Sequence, residues 1–115
     1  MPKHKRTVNE WDAGVDSWVD FVRQGKDFFR DELNNPGMFH IIGNVKDLTV
    51  LDVACGEGYN TRLLASKAAK VTGIDFSEKM IKSAKSQEEK DPITSITMFR
   101  IPETFQGLLL NRLIW

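Results

Sequence analysis

Residues 49–60 read T-V-L-D-V-A-C-G-E-G-Y-N, a short apolar run that meets two glycines and then the opening of a helix. Val50, Leu51 and Val53 have the pattern of a strand covered on both faces. Gly56 and Gly58 let the backbone turn sharply and approach a ligand with no side chain between. Asp52 stands apart in this run. A carboxylate at the end of a buried strand costs several kcal/mol unless something pairs with it, so Asp52 predicts a cationic or hydrogen-bond-donating partner at the carboxyl edge of the sheet. A ligand could be that partner.

Downstream, Tyr59 to Ala69 has the spacing of a helix with Leu63, Leu64, Ala65 and Ala68 inward, and Lys70 to Ile74 (K-V-T-G-I) reads as a second strand ending in Asp75. A crossover of this length lets the two strands run parallel with a right-handed connection. Ser77 is placed to cap a third helix, Glu78 to about Glu89, with Met80, Ile81 and Ala84 inside. Upstream, Asn9 to Val22 forms an amphipathic helix with Trp11, Val15, Trp18, Val19 and Val22 on one face and Asp12, Asp16 and Asp20 away from it. Gly25 interrupts it. A helical piece follows from Lys26 to Leu33, carrying Phe28 and Phe29, and Asn34-Asn35-Pro36-Gly37 is a stop signal. Pro36, capped by Asn35, can start a short helix that Gly43 ends. Aromatic helices ahead of the first strand can pack on the sheet or close over a ligand at its edge, and both can hold together.

The chain has 115 residues, 41% hydrophobic, with 16 basic and 16 acidic side chains. That is one domain or less, burying roughly two-thirds of its unfolded surface. Zero net charge argues against capture of nucleic acid or an anionic membrane. The basic cluster Lys3 to Arg6 reads as a solvated terminus. No apolar run approaches a membrane span and no signal-peptide core follows Met1, so a cytoplasmic protein is expected. Cys55 is the single cysteine; it can form neither an internal disulfide nor a cysteine zinc site, and it reads as small filler beside the turn. No metal site is expected. His4 and His40 read as a terminal and a helix-packed residue, and Glu57 as solvent-facing or capping the next helix. No catalytic residue is assigned.

Asp52 and Asp75 end consecutive strands, so in an open parallel sheet both project into one crevice. An acid ending the second strand can accept hydrogen bonds from both ribose hydroxyls of an adenosine, and Phe76 can lie against the base. Asp52 separates two ligand classes. A nicotinamide or flavin dinucleotide places its pyrophosphate at this turn, where a carboxylate repels it. The glycine pattern disfavours it too, because the third position of G-x-G-x-x-G falls on Thr61. S-adenosylmethionine has no phosphate and carries an ammonium and a sulfonium, which a nearby acid favours.

V-L-D-V-A-C-G-E-G-Y-N-T-R-L-L-A followed by V-T-G-I-D-F-S-E-K-M-I resembles the first two motifs of the class I S-adenosylmethionine-dependent methyltransferases, over about Val50 to Ile81. Ala54 replaces a glycine common at the start of the turn, and Asn60 stands where another is common. The resemblance implies an α/β, Rossmann-like three-layer fold, here the N-terminal half of a seven-stranded sheet, with strand order 3-2-1. It implies S-adenosylmethionine as cofactor, with Asp52, Ala54, Gly56 and Gly58 around the methionine part, Asp75 at the ribose, and Phe76 and Met80 at the adenine. Residues 1–46 are then a helical lid segment similar to that of small-molecule methyltransferases, and 47–94 the cofactor-binding half-domain.

Residues 95–115 do not read like the family's continuation. A shifted reading frame turns the Met98-Phe99 codons into Val within a permitted Tyr-Val-Ser-Asp, and Asn111 to Trp115 permits Ser-Phe-Asp-Leu, so a frame change is suspected there. The expected function is methyl transfer to a small-molecule acceptor by a truncated chain whose bare sheet edge invites self-association. The alternatives are a non-catalytic cofactor-binding or interaction fragment and, less favoured, a dinucleotide-dependent oxidoreductase.

Overall fold

A computed structural model describes residues 3–101. Its elements in chain order are α1 (Lys3–Arg23), a π-helical segment (Phe29–Asn34), α2 (Asn35–Ile42), β1 (Thr49–Val53), α3 (Tyr59–Ser66), β2 (Lys70–Asp75), α4 (Glu78–Lys90) and β3 (Ile96–Arg100). The three strands form one sheet in the order β1-β2-β3. Both pairings are parallel, with Asp52 opposite Gly73 and Asp75 opposite Arg100. The expected 3-2-1 half-sheet of a Rossmann-like α/β fold is therefore present. Its third strand lies in the segment set apart as an atypical tail; residues 102–115 lie outside the described residues, as does most of the suspected frame change.

The strand pleat sends alternate residues to opposite faces. On one face, Val50, Val71 and Ile96 meet Leu64 and Ala65 of α3 in a core that also holds Val45 and Ala69. Beside it, Met98 meets Ile81 and Ala84 of α4. Helix α1 packs on this layer through Val15 and Val19, which touch Met80.

The opposite face is bare. Leu51, Val53 and Phe99 are 58%, 53% and 52% exposed, so β1 is not covered on both faces as its apolar run predicts. A strand reads as doubly buried when it is apolar throughout, yet no described element packs on this side. Ile74, between Val53 and Phe99 in the sheet, is the buried residue of this side.

Three further expectations are corrected. Asn34-Asn35-Pro36-Gly37 does not stop the helix: Asn34 and Asn35 are both right-handed helical and the chain runs on into α2. Asn35 makes no side-chain cap and is buried instead, because the incoming π-helical turns already occupy the place of a cap. The cap lies earlier, at Asp27, whose carboxylate accepts from Arg30 N–H at 3.2 Å. Ala68 is exposed in a left-handed conformation after α3 ends at Ser66, and Ala69 is the buried residue. Gly25 and Gly43, both at positive φ, end their helices as expected.

Candidate functional site

At the carboxyl ends of β1 and β2, under the edge of α1, lies a cleft of about 340 Å³. Asp52, Ala54, Gly56, Asp75, Phe76 and Met80 all line it. Gly58 does not. It sits at φ +86°, which disfavours a side chain, and a Cβ there would lie 3.4 Å from Ala84 and Met98, so it seats the start of α3 against the core. Gly56, at φ +58°, makes the turn itself, and Ala54 takes a left-handed φ of +60° that a non-glycine residue adopts at a cost of about 1 kcal/mol.

Asp75 is buried, and its two oxygens accept from Gly56 N–H and Ser77 N–H, each at 2.8 Å. One carboxylate thus anchors the glycine turn and the entry to α4. Ser77 caps α4 as expected, accepting from Met80 N–H at 3.1 Å, and donates its own proton to Asp12 of α1. Asp12 therefore faces the packed layer, contrary to its place among the outward acids.

Among the described residues Asp52 has one hydrogen-bond partner. Thr61, fully buried, donates its hydroxyl to Asp52 at 2.7 Å. Thr61 occupies the place where tight helix packing in a dinucleotide site asks for a smaller residue, and here it serves the acid. No cation pairs with Asp52 among the described residues. Burial raises its pKa, the Thr61 hydrogen bond opposes the rise, and the Asp75 charge adds to it. The Cys55 thiol is pushed up to about 12, first by burial and then by the charges of Asp52 and Asp75. It is a packing atom at neutral pH.

That packing explains Gly73. A Cβ at residue 73 would stand 3.0 Å from Cys55 Sγ and 3.2 Å from Thr61 Oγ1, so a side chain on β2 would push the turn off the sheet. A glycine inside a strand marks such a close approach, and the signal was readable in V-T-G-I.

Residues outside the expected set complete the cleft. Trp11 and Trp18 project from α1 and remain 51% and 38% exposed. Their stripe does pack, but through Val15, Val19 and Val22, while the larger indoles reach past the core to the cleft. Arg30 lies over the Tyr59 ring at 3.8 Å. Glu57 is buried rather than solvent-facing; it accepts from Tyr59 N–H at 3.2 Å and lies 3.7 Å from Arg23. Burial raises its pKa, and Arg23 and then Arg30 pull it back. These partners sit on segments far apart in sequence, which is why no local pattern disclosed them. His40 is exposed on α2, away from the cleft, rather than packed.

A family model described as Methyltransferase domain matches residues 50–102, spanning all three strands and both acids. Residues 50–102, a little under half of the chain, are thus similar to a methyltransferase domain. It is 49% identical over 45 residues to a ubiquinone biosynthesis O-methyltransferase of Nitrosomonas europaea, covering 39% of this chain and 19% of that protein. An S-adenosylmethionine-dependent methyltransferase from Mesorhizobium loti superposes with a TM-score of 0.52 at 32% identity, over 58% of this chain and 30% of that one. A methyltransferase from Aquifex aeolicus superposes with a TM-score of 0.59 at 20% identity, over 74% of this chain and 47% of that one, and shows likeness of fold. The chain thus spans less than half the length of each of these relatives.

Proposed function

We propose that this chain binds S-adenosylmethionine and is the cofactor-holding part of an enzyme that methylates a small molecule. The observation that carries the reading is Asp52. It is a half-buried carboxylate whose only described partner is a neutral hydroxyl, at the wall of a cleft that also holds Asp75. A diphosphate is repelled there, whereas a ligand bearing an ammonium and a sulfonium is attracted. When bound, the cofactor supplies a methyl group on a positively charged sulfur to an attacking nucleophile. The chain's own residues hold and shield it. Asp52, Ala54 and Gly56 border the methionine part, with Gly58 behind them setting the turn; Asp75, which keeps lone pairs beyond its two backbone bonds, faces the ribose; Phe76 and Met80 flank the adenine.

Helix α1 supports the lid role of residues 1–46, since its two tryptophans overhang the cleft while its valines pack. Residues 47–94 are then the cofactor-binding half-domain. Methyl transfer rests on positioning in a site closed to water rather than on a catalytic triad. The relatives' longer chains point to an acceptor side beyond the described residues, so the chain alone, truncated in this reading, should show no turnover. A cytoplasmic location accords with this reading; among the described residues no helix is long and apolar enough to cross a membrane.

Calorimetric titration of one preparation with S-adenosylhomocysteine and with NAD tests the cofactor assignment. Tighter binding of the homocysteine compound is expected. Tighter binding of NAD would overturn the role given to Asp52.

A further inference from the structure

Glu57 stands in the glycine turn between Gly56 and Gly58, both at positive φ, and its side chain is 7% exposed. Gly58 opens α3 with no side chain to cap it, and Glu57 does so instead, accepting from Tyr59 N–H at 3.2 Å. Its other oxygen lies 3.7 Å from Arg23 Nε, at the end of α1. The same guanidinium turns its Nη2 to α4, donating to the Ser83 carbonyl and to the Ser83 hydroxyl, each at 3.2 Å. Behind Glu57 a cavity of about 600 Å³ opens, with Arg23, Asp31 and Arg62 on its walls. Asp31 is paired there with Arg30, and Arg62 with Glu88 and Asp91. The turn therefore rests on the Arg23 charge rather than on packed side chains.

Helix α1 has a second polar tie. Ser77 donates its hydroxyl to Asp12, and Ser77 N–H donates to Asp75. At about 1.5 Å per residue, Asp12 and Arg23 stand about 16 Å apart along the helix axis. Trp18 lies between them and Trp11 just before the first, and both tryptophans line the cleft. One tie thus runs to the loop after β2 and the other to the turn after β1, the two segments that form the cleft. A buried carboxylate stripped of its cation is costly, so α1 cannot leave the turn without stranding Glu57.

We infer that Arg23 and Glu57 are positioning residues for the methyl donor: their ion pair, with the bond from Ser77 to Asp12, straps α1 to both loops of the cleft and holds Trp11 and Trp18 over the bound ligand. The inference rests on the cofactor assignment above and adds to it a pair that acts through the turn rather than on the ligand. Coupling of this kind runs both ways. A ligand that orders the turn also seats α1, and a seated α1 favours the ligand.

The test measures S-adenosylhomocysteine binding by calorimetry on the unmodified chain, Arg23→Met, Glu57→Gln and the double variant. Glu57→Gln keeps an acceptor for Tyr59 N–H and removes only the charge. Each single substitution should weaken binding about fivefold or more, and the double variant should lose no more than the weaker-binding single one, because both break one pair. Arg23→Lys, which keeps a charge toward Glu57, should recover most of the loss. Hydrogen exchange on the unmodified chain needs no variant: the amides of Val19 to Arg23, residues that do not line the cleft, should exchange more slowly at saturating ligand. Full affinity in Glu57→Gln, losses that add in the double variant, or exchange in α1 that ignores the ligand would each overturn the strap. Failure of S-adenosylhomocysteine to bind the unmodified chain would overturn the cofactor assignment, and the strap with it.

Discussion

Asp52 was legible as a residue that needs a partner, because a carboxylate ending an apolar strand is costly to bury alone. Its partner Thr61 was not, because the nine-residue separation is bridged only once the turn has folded back over β2. The same acid sets a trade between stability and binding. Its pKa is raised on folding, so the folded state holds the proton more tightly than the unfolded chain. Stability contributed here is therefore lost as pH rises from the ordinary carboxylate range through the raised value, and stays lost above it. Asp52→Asn removes that term while keeping an acceptor for Thr61. Urea unfolding should show the variant gaining on the unmodified chain between pH 4 and 7, and calorimetry should show weaker binding of S-adenosylmethionine at pH 7. A variant less stable at pH 7 and more stable at pH 4 would reverse the sign and contradict the assignment.

Among the elements, the parallel pair, the crossover helix and the cap of α4 could all be read locally, since each depends on a short run and its flanking residue. The course from Phe28 to Ile42 could not. Asn-Asn-Pro-Gly has the composition of a break, yet the π-helical turns deliver the backbone to Pro36 already helical, where its missing N–H does no harm. The seating of α1 on α4 was also hidden. It depends on Asp12 reaching Ser77 and on Arg23 donating to Ser83, contacts that span more than half the described chain. Ser77→Ala removes both the cap of α4 and the α1 link, and should cost about 1–2 kcal/mol in chemical unfolding. Asp12→Ala, which cuts only the link, should cost less. Equal losses would mean that the cap contributes nothing and that the Asp12 contact accounts for the whole effect.

At the scale of the molecule, parallel sheets are ordinarily covered on both faces, and the described elements cover this one on one. Leu51, Val53 and Phe99 form a bare apolar strip, and β1 is unpaired along its outer side among the described residues. The edge was foreseen from the strand order; the bare face was not, since an apolar strand does not announce which of its faces lacks cover. Both features support self-association of this chain. Sedimentation velocity should detect dimers or larger species, and Leu51→Lys, which places a charge on the strip, should shift the population toward monomer. A monomer unaffected by the substitution would show that the strip stays solvated.

In the proposed function the turn between β1 and α3, with the acid ending β2, holds S-adenosylmethionine. Titrating the ¹⁵N-labelled chain with S-adenosylhomocysteine and following its backbone amides by NMR tests this residue by residue. The largest saturable shifts should fall on Ala54 to Gly58 and on Asp75 to Ser77, with Trp11 and Trp18 indole signals moving at the same ligand concentration. Shifts confined to other elements, or none at saturating ligand, would contradict the account.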